Sequence, residues 1–125
     1  MIIERSVKSD LENIKTLLLD NDLPIDDLDD EGIQLFVVKI DYIIVGVIGL
    51  ENYNTIGLLR SLAVKEQYKN QRIGEKLINY LVQISNRLGI QELYLLTTTA
   101  DKYFEKFDFR RMIREYVPES IKNTK

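Results

Sequence analysis

Residues 57–78 read GLLRSLAVKEQYKNQRIGEKLI, and this stretch decides the fold. An apolar strand ends at Val64, a short polar loop follows, and Gly74 opens an amphipathic helix. This order predicts that free backbone N–H groups and the positive end of a helix, about half a unit charge, lie at the tip of a buried strand. Both features favour anions, so the stretch predicts a site for a coenzyme that carries a pyrophosphate.

The composition limits the class of protein. The 125 residues have the length of one domain, which we expect to span residues 1–125. An apolar content of 45% and a formal charge of −3 fit a globular protein without the basic face that nucleic-acid binding needs. No apolar run approaches the ~20 residues of a membrane span. The first residues lack the apolar core of a signal peptide, so we expect a cytoplasmic location.

The chain contains neither Cys nor His. The composition therefore excludes disulfides, thiolate nucleophiles, imidazole bases and metal sites built from thiolate or imidazole ligands. Acid–base chemistry falls to Glu, Asp, Tyr, Lys, water or the amine of a substrate.

The N-terminal half predicts a strand, a helix and a hairpin. Met1–Arg5 is the strand, and Ser9 is the predicted helix cap, with Glu12 completing a capping box. Ile33–Lys39 and Ile43–Leu50 are rich in β-branched residues and predict an antiparallel pair.

Two features of this half have open interpretations. The acidic run from Asp26 to Glu31 predicts a solvated loop, or alternatively a surface that attracts a cationic substrate. Gly46 and Gly49 inside the second hairpin strand predict a bulge or a close approach of backbone.

The C-terminal half predicts a crossover. Ile56–Val64 is a strand buried on both faces, and the helix that follows stops at Gly89. A strand over Leu93–Thr98 completes a right-handed βαβ unit. A short helix over Ala100–Lys106 and a last strand over Phe109–Val117 follow. The whole order, β-α-β-β-β-α-β-α-β, predicts an α/β fold with a mixed sheet and helices on both faces.

Two segments resemble the GNAT superfamily of N-acetyltransferases. The loop Lys69-Asn70-Gln71-Arg72-Ile73-Gly74 is similar to its Q/R-x-x-G-x-G/A pyrophosphate loop, with Arg72 in place of the first glycine. The segment AxxYFEKxDF over residues 100–109 resembles its AxxFYEKxGF segment. A side chain at position 72 requires a negative φ. Its guanidinium would either weaken coenzyme binding or add a charge-assisted contact.

The resemblance implies acetyl-CoA as the coenzyme. The parallel strands over residues 56–64 and 92–98 would splay apart beyond Val64, and the pantetheine arm would lie in the gap and pair with the backbone at Leu62 and Val64. The amides of Gln71 to Gly74 would hold the pyrophosphate. The coenzyme-binding residues are then Leu62, Ala63, Val64, Lys69, Asn70, Gln71, Arg72, Ile73, Gly74 and Phe104.

Within the superfamily, residues 58–124 most resemble the arsenic-resistance-associated GNAT proteins. The motifs that carry this likeness are LLRSLAV, LYLLTTTA, the spacing of Phe109, Arg114 and Pro118, and the tail with Ile121 and Thr124. That group usually has Gly where Asp108 stands, and its tail usually continues. We therefore expect a C-terminal segment to be missing, replaced or supplied by a partner chain, and an exposed last strand would permit a homodimer.

The resemblance identifies the catalytic groups less directly than the coenzyme-binding residues. In many GNAT proteins a Tyr in the second segment donates a proton to the thiolate, but Phe104 holds that position here. Tyr103 is the candidate acid, although adjacent helical residues point about 100° apart. Tyr103 is alternatively a packed aromatic with its hydroxyl at the surface, and the thiolate would then leave unprotonated. Glu51, at the end of its strand, is the candidate base, acting directly or through water.

Arg60 lies in the middle of the central strand, on the predicted face of Leu58, Leu62 and Val64. A buried guanidinium must meet an anion. The partner is either an internal Asp or Glu, or a substrate carboxylate or oxyanion that Arg114 would share.

Two other groups of small polar residues, Ser61 and Thr97–Thr99, either line the acceptor pocket or serve capping and packing. The sequence thus predicts acetyl transfer from acetyl-CoA to a small, anion-bearing amine such as an amino acid. The alternatives are a CoA-binding regulatory module and a protein N-terminal acetyltransferase.

Overall fold

Five strands form one mixed sheet, and they lie in it in their order along the chain. The computed structural model describes residues 2–30, 32–96, 101–107, 109 and 118–122. The strands are β1 (Ile2–Arg5), β2 (Ile33–Ile40), β3 (Ile43–Tyr53), β4 (Ile56–Val64) and β5 (Glu92–Leu95). The pairs from β1 to β4 are antiparallel, and β4 pairs with β5 in parallel. The predicted mixed sheet is confirmed.

Helices cover both faces of this sheet, as predicted. They are α1 (Leu11–Asp20), α2 (Ile73–Arg87), α3 (Asp101–Glu105) and α4 (Glu119–Lys122). The predicted strand over Phe109–Val117 lies, apart from residue 109, outside the described residues. No helix among the described residues combines the length and apolar character needed to cross a bilayer.

Each face has its own apolar core. Ile14, Leu17 and Leu18 of α1 pack on one face, where Ala63 belongs to the same cluster. On the other face the buried α2 residues are Ile73, Leu77, Ile78 and Leu81. α2 ends at Arg87, and Leu88 after it is 43% exposed. Gly89 follows with a φ of +81°, which confirms the predicted stop.

The start of α1 differs from its prediction. A 3-10 turn over Lys8–Asp10 precedes the helix. The Asp10 carboxylate, not the Ser9 hydroxyl, accepts the hydrogen bond from the Val7 amide, at 2.9 Å. The predicted Ser9 cap is therefore wrong, because the extra turn moves the capping position.

Close packing of α2 on β3 fixes where α2 begins. A β-carbon on Gly46 would lie 3.0 Å from Ile73 Cγ2 and 3.1 Å from Leu77 Cδ1. A register shift between Val47 and Gly49 marks a bulge in the β3–β4 pair. Both interpretations of the strand glycines are thus confirmed, and the first turn of α2 is held directly against the sheet.

Candidate active site

β4 and β5 separate halfway along β4. Their parallel pairing runs from Ile56 opposite Glu92 to Leu59 opposite Leu95. β4 continues to Val64, and in the part of the chain that the structure describes this second half pairs only with β3. The resemblance implied a splay beyond Val64, whereas the described pairing ends at Leu59 and residues 97–100 lie outside the described residues, so the splay stays a prediction. We call residues 60–64 the open half of β4, because among the described residues they pair with β3 alone.

A bulge lies where the open half begins. Arg60 is opposite Gly49, but Ala63 is opposite Val47. β4 therefore advances three residues where β3 advances two. Ser61 in this step has a φ of +57°. An inserted residue reverses the alternation of side chains between the two faces of a strand.

The bulge overturns the predicted face of Arg60. Leu62 and Val64 pack on the α2 core, whereas Arg60 lies opposite Gly49, beside Leu35 of the α1 core. The prediction assumed a strand without a bulge, and it was wrong in placing Arg60 on the same face as Leu62 and Val64. The charge of Arg60 is thereby kept away from the apolar core under α2.

Among the described residues, the backbone groups of Val64 that face away from β3 have no hydrogen-bond partner. The Lys65 amide donates to the Val45 carbonyl at 2.8 Å, so Lys65 belongs to a hydrogen-bonded pair of the β3–β4 ladder. Alternation along an antiparallel ladder then turns the N–H and C=O of Val64 toward the open edge and those of Ala63 toward β3. Of the predicted coenzyme residues on β4, Val64 has the backbone geometry for pairing with an extended ligand, and Ala63 is buried with its backbone turned away.

The loop after β4 ends in the N-terminus of α2. The first helical hydrogen bond runs from the Lys76 amide to the Arg72 carbonyl at 3.1 Å. The amides of Ile73 and Gly74 precede that bond and point out of the helix end, as in any α-helix. The Gln71 amide, in contrast, donates to the Tyr68 carbonyl at 3.2 Å and is already used.

Arg72 precedes α2 in a left-handed conformation, with φ +60° and ψ 24°. The predicted negative φ is wrong. This conformation costs an L-residue about 1–2 kcal/mol, which explains why the resembling loops have glycine at this position. Lys69, Asn70, Gln71 and Arg72 are all exposed. Lys69 pairs with Glu66 at 3.0 Å.

The two aromatic residues of α3 differ in burial. Phe104 is buried in the α2-side core, while Tyr103 is 37% exposed. The Tyr103 hydroxyl lies 2.9 Å from the position that a β-carbon on Gly74 would occupy. Burial, and to a smaller extent the charge of Glu75, raises the pKa of Tyr103. A protonated hydroxyl therefore lies over the first turn of α2.

A charged cluster occupies the opposite face of β4. Arg60 Nη1 donates to Asp27 Oδ2 at 2.8 Å and to Glu51 Oε1 at 2.6 Å, and Arg60 Nη2 donates to Asp27 Oδ1 at 2.6 Å. Arg60 Nε donates to the Ser61 hydroxyl at 3.1 Å. Of the two interpretations of Arg60, the internal salt bridge is the one observed. The hydrogen bonds that Arg60 donates to Asp27, and then the one that it donates to Glu51, raise the pKa of Arg60 further.

Glu51 is held from two sides. Its side chain is 8% exposed, and its second oxygen accepts a hydrogen bond from the Tyr53 hydroxyl at 2.7 Å. With one guanidinium and two carboxylates, the cluster has a net charge of −1. Its other acid, Asp27, belongs to the run that was predicted to be either a solvated loop or a surface for a cationic substrate. Asp27 lies in a turn with its side chain 34% exposed, and it binds the internal cation Arg60.

Sequence reasoning missed Asp27 and Tyr53. Tyr53 follows Glu51 at a spacing of two, which places both on one face of a strand. That spacing could have identified Tyr53. Asp27 lies 33 residues from Arg60 in sequence, and no local pattern joins them. Arg114 and residues 97–100, which include Thr97–Thr99, lie outside the described residues.

Comparisons with known proteins agree with this geometry. A family model described as an acetyltransferase (GNAT) domain matches residues 31–111. An uncharacterised N-acetyltransferase of Chlorobaculum tepidum is 23% identical over 122 residues, 97% of this chain and 66% of that protein. The chain thus spans about two thirds of the length of this curated relative.

Solved structures show the same fold. A GNAT-family acetyltransferase from Staphylococcus aureus superposes with a TM-score of 0.83 at 25% identity, over 95% of this chain and 90% of that one. N-acetylglutamate synthase from Neisseria gonorrhoeae, solved with coenzyme A and L-arginine, gives a TM-score of 0.83 at 20% identity, over 97% of this chain and 30% of that one.

Proposed function

Because the chain belongs to the GNAT acetyltransferase family, we propose that it transfers the acetyl group of acetyl-CoA to the amine of a small acceptor. The observation that carries the proposal is the second half of β4, which among the described residues pairs with β3 alone and leads at Val64 into the loop before α2. An extended arm that ends in a diphosphate needs a strand edge followed by an anion site, and the order of β4, loop and α2 supports the proposal. Acetyl-CoA is the coenzyme consistent with the family and with its neighbours solved with coenzyme A.

The residues proposed to hold the coenzyme are few. The N–H and C=O of Val64 would pair with the amides of the arm, and the amides of Ile73 and Gly74 would bind the diphosphate with the helix dipole. The side chains of Lys69 and Arg72 add positive charge beside it. When bound, acetyl-CoA supplies a thioester, whose acetyl group forms a C–N bond as the C–S bond breaks and one proton passes from nitrogen to sulfur.

Glu51 is the proposed base that removes the proton from the acceptor ammonium, directly or through one water. The two hydrogen bonds to its oxygens, from Arg60 and Tyr53, fix the orientation of the carboxylate. Proton transfer by a positioned group contributes about 10²–10⁴-fold to a rate. Tyr103 as the acid that protonates sulfur stays a prediction, and an alternative role for it is developed below.

The acceptor is proposed to carry an anionic group, as in an amino acid. To reach Arg60, that group must replace a carboxylate already bound there. Asp27 belongs to a loop and its side chain is 34% exposed, whereas Glu51 belongs to β3 and its side chain is 8% exposed. The exchangeable partner is therefore Asp27, whose bidentate contact is the one that a substrate carboxylate would make. Amino-acid-like toxins that carry an anionic group are candidate acceptors for the same reason.

The first experiment joins calorimetry with release of free thiol. We expect coenzyme A to bind, and acetyl-CoA to yield thiol in the presence of amino acids and amino-acid-like toxins rather than peptides. Preference for peptides would instead indicate N-terminal acetylation of proteins. If no heat is registered at millimolar coenzyme A, the proposed function is wrong.

A matched pair of variants tests the base. Glu92 accepts a hydrogen bond from Tyr94, two residues along its strand, at 2.7 Å, in the same way as Glu51 accepts one from Tyr53. Glu51→Gln should lower kcat by about 10²-fold or more, while Glu92→Gln leaves it unchanged. Equal kcat values in both variants, with normal coenzyme affinity, would exclude Glu51 as the base.

The acceptor is tested at Asp27. Asp27→Asn removes the internal competitor for Arg60, so the KM for an amino acid should fall relative to that for an alkylamine of the same length. If both KM values change by the same factor, the acceptor carboxylate does not use Arg60. A net negative cluster would then select acceptors by their ammonium charge alone.

A further inference from the structure

Gly74 leaves space for a hydroxyl rather than for an apolar side chain. A β-carbon there would lie 2.9 Å from Tyr103 Oη and 4.0 Å from Tyr103 Cζ. At Gly46 the atoms in the same position are the methyl groups of Ile73 and Leu77, which are part of the core. Because Gly74 has no side chain, the polar hydroxyl of Tyr103 can lie close to the start of α2.

The Tyr103 ring is packed against its neighbours, but its hydroxyl has no hydrogen-bond partner among the described residues. The ring contacts Phe104 and Phe107, with centroids 5.3 Å and 5.5 Å away, and Lys106 Nζ lies 5.9 Å from its centroid. Among the hydrogen bonds of the described residues, none uses the Tyr103 hydroxyl. The side chain thus presents a positioned hydroxyl donor that has no hydrogen-bond partner among the described residues.

The free amides at the start of α2 lie beside this hydroxyl. Together they favour a ligand with anionic oxygen atoms. The amides of Ile73 and Gly74 precede the first hydrogen bond of α2, and the hydroxyl lies over Gly74. We propose that Tyr103 is a coenzyme ligand, which donates its hydroxyl to an oxygen of the diphosphate bound at the start of α2. This inference rests on the proposed function, because it requires coenzyme A to bind there.

The proposal assigns Tyr103 a different role from that of a general acid. In coenzyme A the diphosphate and the sulfur lie at opposite ends of the pantetheine arm. A hydroxyl fixed beside the phosphates cannot also protonate the sulfur. Removal of the hydroxyl should therefore weaken coenzyme binding and leave kcat at saturating acetyl-CoA unchanged.

The test is the affinity for coenzyme A by calorimetry, with no acceptor present. Tyr103→Phe should raise the Kd about tenfold, the usual effect of losing one hydrogen bond to a charged group. Tyr80→Phe is the matched control, because Tyr80 is half-buried, lies on α2 itself and packs edge-on against Phe36 at 5.4 Å. Its Kd should equal that of the unchanged protein.

Two further measurements separate a ligand from a packing residue. The ³¹P resonances of the bound diphosphate should shift between the unchanged protein and Tyr103→Phe, but not in Tyr80→Phe. Gly74→Ala, whose methyl would meet the hydroxyl, should weaken coenzyme binding, and the combination with Tyr103→Phe should weaken it no further. A melting curve checks that each variant is folded.

Three results would overturn the proposal while leaving the proposed function intact. They are an unchanged Kd in Tyr103→Phe, an unchanged ³¹P spectrum, and a fall in kcat at saturating acetyl-CoA with normal affinity. The last of these would establish Tyr103 as the proton donor. Failure of the unchanged protein to bind coenzyme A is distinguishable, because it refutes the proposed function before any variant is compared.

Discussion

The two halves of β4 differ in which strands pair with their backbone. Residues 56–59 pair with β3 on one side and β5 on the other, and Gly57, Leu58 and Leu59 are buried. Residues 60–64 pair within the described part of the chain only with β3, and all but Ala63 are half-buried. A backbone group without a partner has a free-energy cost when water is excluded. The first half therefore supports the fold, and the second half is the part that we propose to bind an extended ligand.

The largest expected effect comes from the first half. Leu59→Ala removes a side chain that is 4% exposed, and it should lower the free energy of unfolding by about 2–5 kcal/mol. The control is Leu62→Ala in the second half, where the side chain is only half-buried. Urea denaturation should show less than half the loss for Leu62→Ala. Equal losses would mean that both halves contribute alike to the core.

The next effect tests the charged cluster at the junction of the halves. Arg60→Met leaves Glu51 without its cation and should lower the free energy of unfolding by roughly 3 kcal/mol. Lys69→Met is the matched control, because the side chains of its ion pair with Glu66 are 46% and 85% exposed. Such exposed pairs contribute at most about 1 kcal/mol. If urea denaturation gives similar losses for both variants, the cluster is not a buried ion pair in solution.

A gain in stability is expected at Arg72, beyond the open half. Arg72→Gly relieves the left-handed backbone and should raise the free energy of unfolding by up to about 1 kcal/mol. Arg72→Ala keeps the β-carbon and removes the charge, so it should bring no gain. The Kd for coenzyme A in the two variants then separates the backbone from the guanidinium. Weaker binding in both would assign Arg72 a contact with the coenzyme.

The smallest effect concerns alkaline pH. Burial, and then the charge of Glu75, raises the pKa of Tyr103 in the folded state. The folded state holds this proton more tightly than the unfolded state does. The resulting stability is complete below the ordinary tyrosine pKa of about 10 and is lost as the pH rises through the higher folded value. Tm should fall less steeply above pH 10 in Tyr103→Phe than in the control Tyr42→Phe, whose ring is 98% exposed. Identical slopes would contradict the raised pKa.

The sequence determined the elements, because their signals are local. Apolar spacing of three and four residues gave α1 and α2, runs of β-branched residues gave β2 to β4, and Gly89 gave the stop of α2. The loop before α2 could be read for the same reason, since its chemistry is that of one strand end and one helix start. Phe104 and Tyr103 were likewise found by their likeness to a known segment.

Only the tertiary structure decided how the charged residues are used. The face of Arg60 depends on a bulge that forms when β3 and β4 pair, and a single inserted residue reverses every side chain after it. The Arg60–Asp27 contact joins residues 33 apart. The Tyr103 hydroxyl reaches α2 because the ring rests over a glycine. Periodicity along the chain predicts which residues form an element, whereas the partner of a charge depends on distances in space.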